Sequence, residues 1–245
     1  ALPILLGQGQ PLLEHSQFIG RVRIAPSLLA ADFGRLRDEA SAVEKAGADW
    51  LHLDVMDGHF VPNLTFGLAT VEALRGATRL PFDAHLMIDR PSLWAPRYAE
   101  AGCATVAIHV EAAEAHASTL DAVRRAGAQS GLALDPGTPW IAIEPYASHL
   151  DFALVMTVKS GFGGQAYIAT MEPKIREVRD MITTRGLGDK VNVEVDGGIG
   201  PNTIAGAAAA GANVLIAGSA LYRDPKGLKH AVDDLRARAT AAFSA

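Results

Sequence analysis

The chain has 245 residues, 49% of them hydrophobic, and a formal net charge of −5. That length supports a large buried core and fits one α/β barrel as well as it fits two smaller domains. No basic run or aromatic-basic stripe marks a nucleic-acid partner, no stretch approaches the ~18 apolar residues of a membrane span, and a single cysteine, Cys103, rules out an intrachain disulfide.

Residues 1–20, ALPILLGQGQPLLEHSQFIG, begin apolar but lack the basic region and sustained apolar run of a signal peptide. They read as an N-terminal extension ahead of a catalytic domain over 21–245. With its lone cysteine, the chain is expected in a reducing cytoplasm.

Apolar runs predict strands over 22–27, 50–54, 82–87, 105–109, 131–134, 153–158, 191–196 and 214–217. Helical patterns fall between them, for example over 33–46, 116–126, 172–184 and 225–242. Four segments punctuate the series: KAGAD (45–49), EAGCA (100–104), RAGAQ (125–129) and AAGAN (209–213). Each places a glycine where a helix ends and a strand follows, the position that favours a left-handed backbone. Their spacing matches multiples of one βα unit of roughly 27 residues. Eight alternating units without a linker favour a single-domain (β/α)8 TIM barrel over a doubly wound open sheet.

Chemistry in a barrel sits at the C-terminal ends of the strands. In LHLDVMDGHF (51–60), His52, Asp54 and Met56 alternate with Leu51, Leu53 and Val55. A strand turns the first three to one face and the aliphatic three to the other. The third strand adds His85 and the seventh adds Asp196. Two imidazoles and two carboxylates converging on the barrel mouth suit Zn²⁺, Fe²⁺, Mn²⁺ or Co²⁺. The alternative is four separate interior polar groups, each satisfied by its own hydrogen bonds. His109 also ends a strand and reads as layer packing. Asp32 reads as a helix cap, and Asp57, Gly58 and Asp135 as turn residues. Cys103 reads as a small apolar packing residue.

Glycine clusters follow the last three strands: GFGGQ (161–165), DGGIG (196–200) and AGSALY (217–222). Such loops expose backbone N–H groups that cradle phosphate. No arginine lies within them, so backbone amides are expected to carry recognition, with Ser219 adding a hydroxyl and Lys159 a charge. A metal-like site beside a phosphate cradle points to a small phosphorylated substrate.

These residues resemble the ribulose-phosphate 3-epimerase family. The likeness runs from about Ile24 to Leu221. It is carried by IAPSLLAADF (24–33), GADWLHLDVMDGHFVPNLTFG (47–67), HLM (85–87), GFGGQ, EVDGGIGP (194–201) and AGSA (217–220). The resemblance implies a barrel holding one divalent ion, with His52, Asp54, His85 and Asp196 as ligands and Asp54 and Asp196 as the acid–base pair. It implies that Ser27 and His85 lie near the substrate and that Met56, Met87 and Met156 line the site. Phosphate is implied to sit on Gly161, Phe162, Gly163, Gly164, Gly197, Gly198, Gly218 and Ser219. The implied reaction interconverts D-ribulose 5-phosphate and D-xylulose 5-phosphate at C3 through an enediolate, a step of the pentose phosphate pathway. The expected ion is Zn²⁺ or Fe²⁺, the expected partner a phosphorylated ketose, and the expected assembly a homo-oligomer. Rival readings are an epimerase of a six-carbon ketose phosphate such as allulose 6-phosphate, a metal-free phosphate-binding barrel enzyme, and a non-catalytic sugar-phosphate sensor. Two departures stand out: Ser160 occupies the place where the family usually has proline before GFGG, which predicts a less rigid loop, and residues 1–20 have no usual counterpart.

Overall fold

The computed structural model describes residues 20–114 and 116–243, so the extension expected over 1–20 lies, except for Gly20, outside the described residues. Eight parallel strands form one sheet: β1 (Arg23–Pro26), β2 (Leu51–Met56), β3 (Phe82–Met87), β4 (Cys103–His109), β5 (Gln129–Leu134), β6 (Phe152–Met156), β7 (Asn192–Asp196) and β8 (Val214–Ala217). Each strand pairs with its sequence neighbour, and β8 returns to β1. A bridge between Ser27 and His52 joins β1 to β2 and closes the barrel. The order is that of a (β/α)8 barrel and not of a doubly wound sheet.

Helices α1 (Leu36–Lys45), α2 (Leu68–Leu74), α3 (Pro91–Glu100), α4 (His116–Arg125), α5 (Glu172–Thr184), α6 (Ile204–Ala209), α7 (Ser219–Tyr222) and α8 (Leu228–Phe243) occupy the connections. Gly47, Gly102, Gly127 and Gly211 all have positive φ, as the repeated punctuation predicts. Asp32 caps a short 3₁₀ turn by accepting the Gly34 N–H at 2.9 Å. Between β5 and β6 the helix gives way to two 3₁₀ segments, Trp140–Ala142 and Glu144–His149. Pro139 and Pro145 explain this, since each removes a donor that a continuous α-helix needs. The segments predicted at 153–158 and 50–54 shift: β6 ends at Met156, where Thr157 turns to donate its N–H to the Asp196 carbonyl at 2.7 Å, and β2 runs on to Met56.

Two apolar layers result. Leu51, Leu53 and Val55 join the layer between sheet and helices, as the alternation requires. Inside the barrel, Ala25, Trp50, Ala107, Ala133, Phe152, Leu154, Val214 and Ile216 pack together. The Phe152 ring crosses in front of Gly131; a Cβ there would stand 2.4 Å from a ring carbon. Small and large residues thus alternate to fill the lumen. The barrel is a packed core below, which leaves polar chemistry to the upper end.

Candidate active site

Strand register gathers the predicted groups. Asp54 stands opposite His85, Met56 opposite Met87, and Met156 opposite Asp196. Parallel partners point the same way, so all these side chains enter the barrel mouth. Ligand atoms of His52, Asp54, His85 and Asp196 lie within 4.8 Å of one another. His52 Nε2 and His85 Nδ1 each lie 3.4 Å from Asp54 Oδ1, and His85 Nδ1 lies 3.8 Å from Asp196 Oδ2. Both of these ring nitrogens are buried without a hydrogen-bond partner among the described residues. Orphaned imidazole nitrogens converging on shared carboxylate oxygens fit a divalent cation, which accepts lone pairs from both.

The surrounding groups fix these side chains. Ser27 Oγ donates to Asp54 Oδ2 at 2.5 Å. His52 Nδ1 meets Asp83 Oδ2 at 2.6 Å, and Asp83 Oδ1 accepts from Thr105 Oγ1 at 2.5 Å. Since a carboxylate only accepts, the His52 hydrogen sits on Nδ1 and Nε2 faces the cluster. His85 Nε2 lies 2.8 Å from His109 Nε2, so His109 is a hydrogen-bond partner of a cluster residue and does more than fill a layer. Met56 and Met87 pack with Val61, and Met156 joins the interior layer; together they make one apolar wall of the pocket.

The two carboxylates are driven apart. Burial, then the Asp54 charge, push Asp196 up to about 8. Burial would also raise Asp54, but His52 and then His85 outweigh it and hold Asp54 well below the usual carboxylate range. With no cation at Nε2, burial opposes the charged form of His52, yet Asp54 and Asp83 carry it well above the ordinary value; a bound cation would take the place of that second proton. Burial brings His85 down to about 4, against the pull of the nearby Asp54 carboxylate. The two carboxyls are thus shifted in opposite directions by their surroundings. Glu194, one step deeper on β7, has both oxygens buried without a hydrogen-bond partner among the described residues. Burial, then Asp83, push its carboxyl well above the usual range.

These directions predict a pH effect on the metal-free protein. Asp196 releases its proton near 3.8 when unfolded and near 8 when folded. Its contribution to stability is fully present below the first value and is lost as pH rises through the second. His52 and Glu194, both raised, act in the same sense. Asp54 is flat here because its stabilisation is lost only far lower, and the opposite effect of His85 fades as pH rises past its ordinary value of 6.5. Thermal melts of chelated protein are expected to show Tm falling from pH 6.5 to 8; a Tm that rises across this window contradicts the assignment.

The glycine clusters form the other wall of a cavity of about 440 Å³. Gly161, Gly163, Gly164, Gly197, Gly198, Gly218 and Ser219 line it, with Phe162 at its rim, about half exposed. Gly198 has φ of +66°, and a Cβ there would stand 2.4 Å from the Tyr167 backbone nitrogen. Only glycine permits that approach. The loop is tied on three sides. Gln165 Nε2 donates to the carbonyls of Lys159 at 2.6 Å and Phe162 at 2.7 Å. Asn63 Nδ2, from the segment after β2, donates to the Gly161 carbonyl at 2.9 Å. Ser160, buried, donates its hydroxyl to Asp135 Oδ1, a tether that proline could not supply. The departure expected to loosen this loop thus brings its own anchor.

Four residues escaped the sequence reading. Asp83 and Glu194 share the inward face with His85 and Asp196, so the period of two could have found them. Glu111 lies just past β4, where no periodicity reaches. Arg223 lines the cavity beside Lys159 although it follows the last glycine cluster rather than sitting inside one. Arg223 thus adds a second cation beside Lys159 on the glycine side of the cavity.

Comparison with known proteins identifies the family. The model of the ribulose-phosphate 3 epimerase family matches residues 23–222. The ribulose-phosphate 3-epimerase of Mycobacterium tuberculosis is 53% identical over 202 residues, covering 81% of this chain and 85% of that protein. The Bacillus subtilis enzyme of the same name is 45% identical over 215 residues, covering 88% and 98%. Among solved structures, KGPDC from Streptococcus mutans superposes with a TM-score of 0.66 at 15% identity, covering 91% of this chain and 99% of that one, a likeness of fold alone. Matched along nearly all of its barrel, this chain belongs to the ribulose-phosphate 3-epimerase family.

Proposed function

We propose that this chain interconverts D-ribulose 5-phosphate and D-xylulose 5-phosphate, with His52, Asp54, His85 and Asp196 as ligands of one divalent ion, Zn²⁺ or Fe²⁺ before Mn²⁺ or Co²⁺. The observation that carries this reading is the convergence of His52, Asp54, His85 and Asp196, whose ligand atoms lie within 4.8 Å of one another, with two buried imidazole nitrogens that lack partners among the described residues. Family membership supplies the reaction class.

Inverting a carbon next to a carbonyl requires a proton to leave one face and another to arrive at the opposite face. Asp54 on β2 and Asp196 on β7 enter from different strands, so one takes the proton and the other gives one. They exchange roles when the reaction runs backwards. A bound divalent ion supplies Lewis-acid stabilisation of the charge that develops on the substrate oxygens. His52 and His85 are ligands without negative charge, so they do not oppose that charge. Ser27 orients Asp54 by donating to Oδ2. Met56, Met87 and Met156 exclude water without offering competing donors. Gly161, Phe162, Gly163, Gly164, Gly197, Gly198, Gly218 and Ser219 hold the phosphate, with Lys159 and Arg223 adding positive charge.

A coupled assay with ribulose 5-phosphate and allulose 6-phosphate tests the substrate assignment. Turnover is expected with the pentose phosphate, at a higher kcat/KM than with the hexose phosphate. Preference for the six-carbon sugar would overturn the choice of substrate, and no turnover of either would leave a sugar-phosphate binder.

A further inference from the structure

We propose that Glu111 decides, through His109, which ring nitrogen of His85 faces the four-residue cluster. Glu111 lies too far along the chain of contacts to act on the cluster itself, so its role is positioning. The hydrogen bonds run in one line. His85 Nε2 lies 2.8 Å from His109 Nε2, and His109 Nδ1 lies 3.0 Å from Glu111 Oε2. The other carboxylate oxygen, Oε1, accepts the Asp135 backbone N–H at 2.8 Å. Packing holds both rings in place: His85 and His109 stack at 5.0 Å between centroids, and Phe60 covers His109 at 4.9 Å. Neither ring is exposed to water that could substitute for a missing partner.

Hydrogen-bond polarity follows from the Glu111 end. An ionised carboxylate only accepts, so His109 Nδ1 carries the hydrogen. The Nε2 of a neutral His109 is then bare and accepts. His85 must donate from Nε2, which leaves its Nδ1 as a lone pair. That Nδ1 is the buried nitrogen without a partner, 3.4 Å from Asp54 Oδ1. A lone pair facing a carboxylate oxygen is favourable only with a cation between them. Asp83 imposes the matching choice on His52 directly, so each cluster histidine answers to a carboxylate, one at a single step and one at two.

The test is the tautomer of His85 in the full-length, metal-free protein, read from ¹⁵N chemical shifts of labelled histidine. Wild type is expected to carry the hydrogen on Nε2. Glu111→Gln keeps the shape but reverses the line: its amide oxygen takes the Asp135 N–H, its NH₂ turns to His109 Nδ1, His109 donates from Nε2, and the His85 hydrogen moves to Nδ1. Glu111→Ala cuts the line without reversing it. Co²⁺ affinity, measured by competition with a chelator, is expected to fall in the order wild type, Glu111→Ala, Glu111→Gln, the last by about 10–100-fold. Loss of a packing contact gives the opposite order, because alanine removes more of the side chain. Nδ1–H on His85 in wild type, or an unchanged tautomer in Glu111→Gln, overturns the proposal. The affinity consequence rests on the cation reading of the cluster. Failure of wild type to bind Co²⁺ would sink that reading, while the metal-free tautomer still decides this one.

Discussion

Asp54→Asn and Asp196→Asn, made separately, are each expected to lower turnover of ribulose 5-phosphate by about 10²–10⁴-fold, the usual worth of a positioned acid or base. Asparagine keeps the volume of aspartate and neither takes nor gives a proton, so the fold survives while one face of the carbon loses its partner. The two sites are not redundant. They enter the mouth on different strands, and a side chain on one side of a planar intermediate cannot serve the other. Their environments also differ: Asp54, which accepts the Ser27 hydroxyl, is held well below the usual carboxylate range, and burial pushes Asp196 up to about 8. Steady-state kinetics of both variants check this, together with deuterium incorporation at C3 in D₂O. Near-normal turnover in either variant would leave only one base, and absence of label in wild type would exclude the enediolate route.

Removing the proposed divalent ion is expected to have an effect at least as large as a hundredfold. Enzyme accelerations usually begin near ~10⁶-fold, and acid–base catalysis supplies about 10²–10⁴ of that. The remainder must come from stabilising negative charge on oxygen, and the described residues at the cluster offer no arginine or lysine for this purpose; Lys159 and Arg223 sit on the glycine side of the cavity. Turnover measured before chelation, after it, and after add-back of Zn²⁺, Fe²⁺, Mn²⁺ and Co²⁺ tests this. Activity that survives complete removal, verified by elemental analysis, would assign the charge stabilisation to the protein alone.

Strict alternation within strands made the fold and the four cluster residues legible in the sequence. His52 and Asp54 stood out because a polar face opposite Leu51, Leu53 and Val55 fits neither core nor solvent. The same period, followed one step deeper, points to Asp83 and Glu194; it was the depth of the barrel, not the pattern, that hid them. Glu111 and Arg223 were invisible for another reason. Each lies beyond a strand or glycine cluster, and only the closed geometry brings it inward. The missing helix between β5 and β6 was written in Pro139 and Pro145, whereas the exact strand ends depended on contacts such as Thr157 with the Asp196 carbonyl. Ser160 shows the limit of reading a departure from a family pattern in isolation, since its partner Asp135 lies 25 positions away.

The hydrogen bond from Asn63 to the Gly161 carbonyl joins the segment after β2 to the loop after β6, 98 positions apart. The segment that follows His52 and Asp54 and the glycine loop after β6 are therefore held in register by one side chain. A laboratory chimera that imports another barrel's GFGGQ loop without the corresponding VPN segment would receive the right residues on an unsupported hinge. Exchange of substrate preference by loop grafting in this scaffold is then a two-segment problem, with Asn63 travelling alongside the glycines.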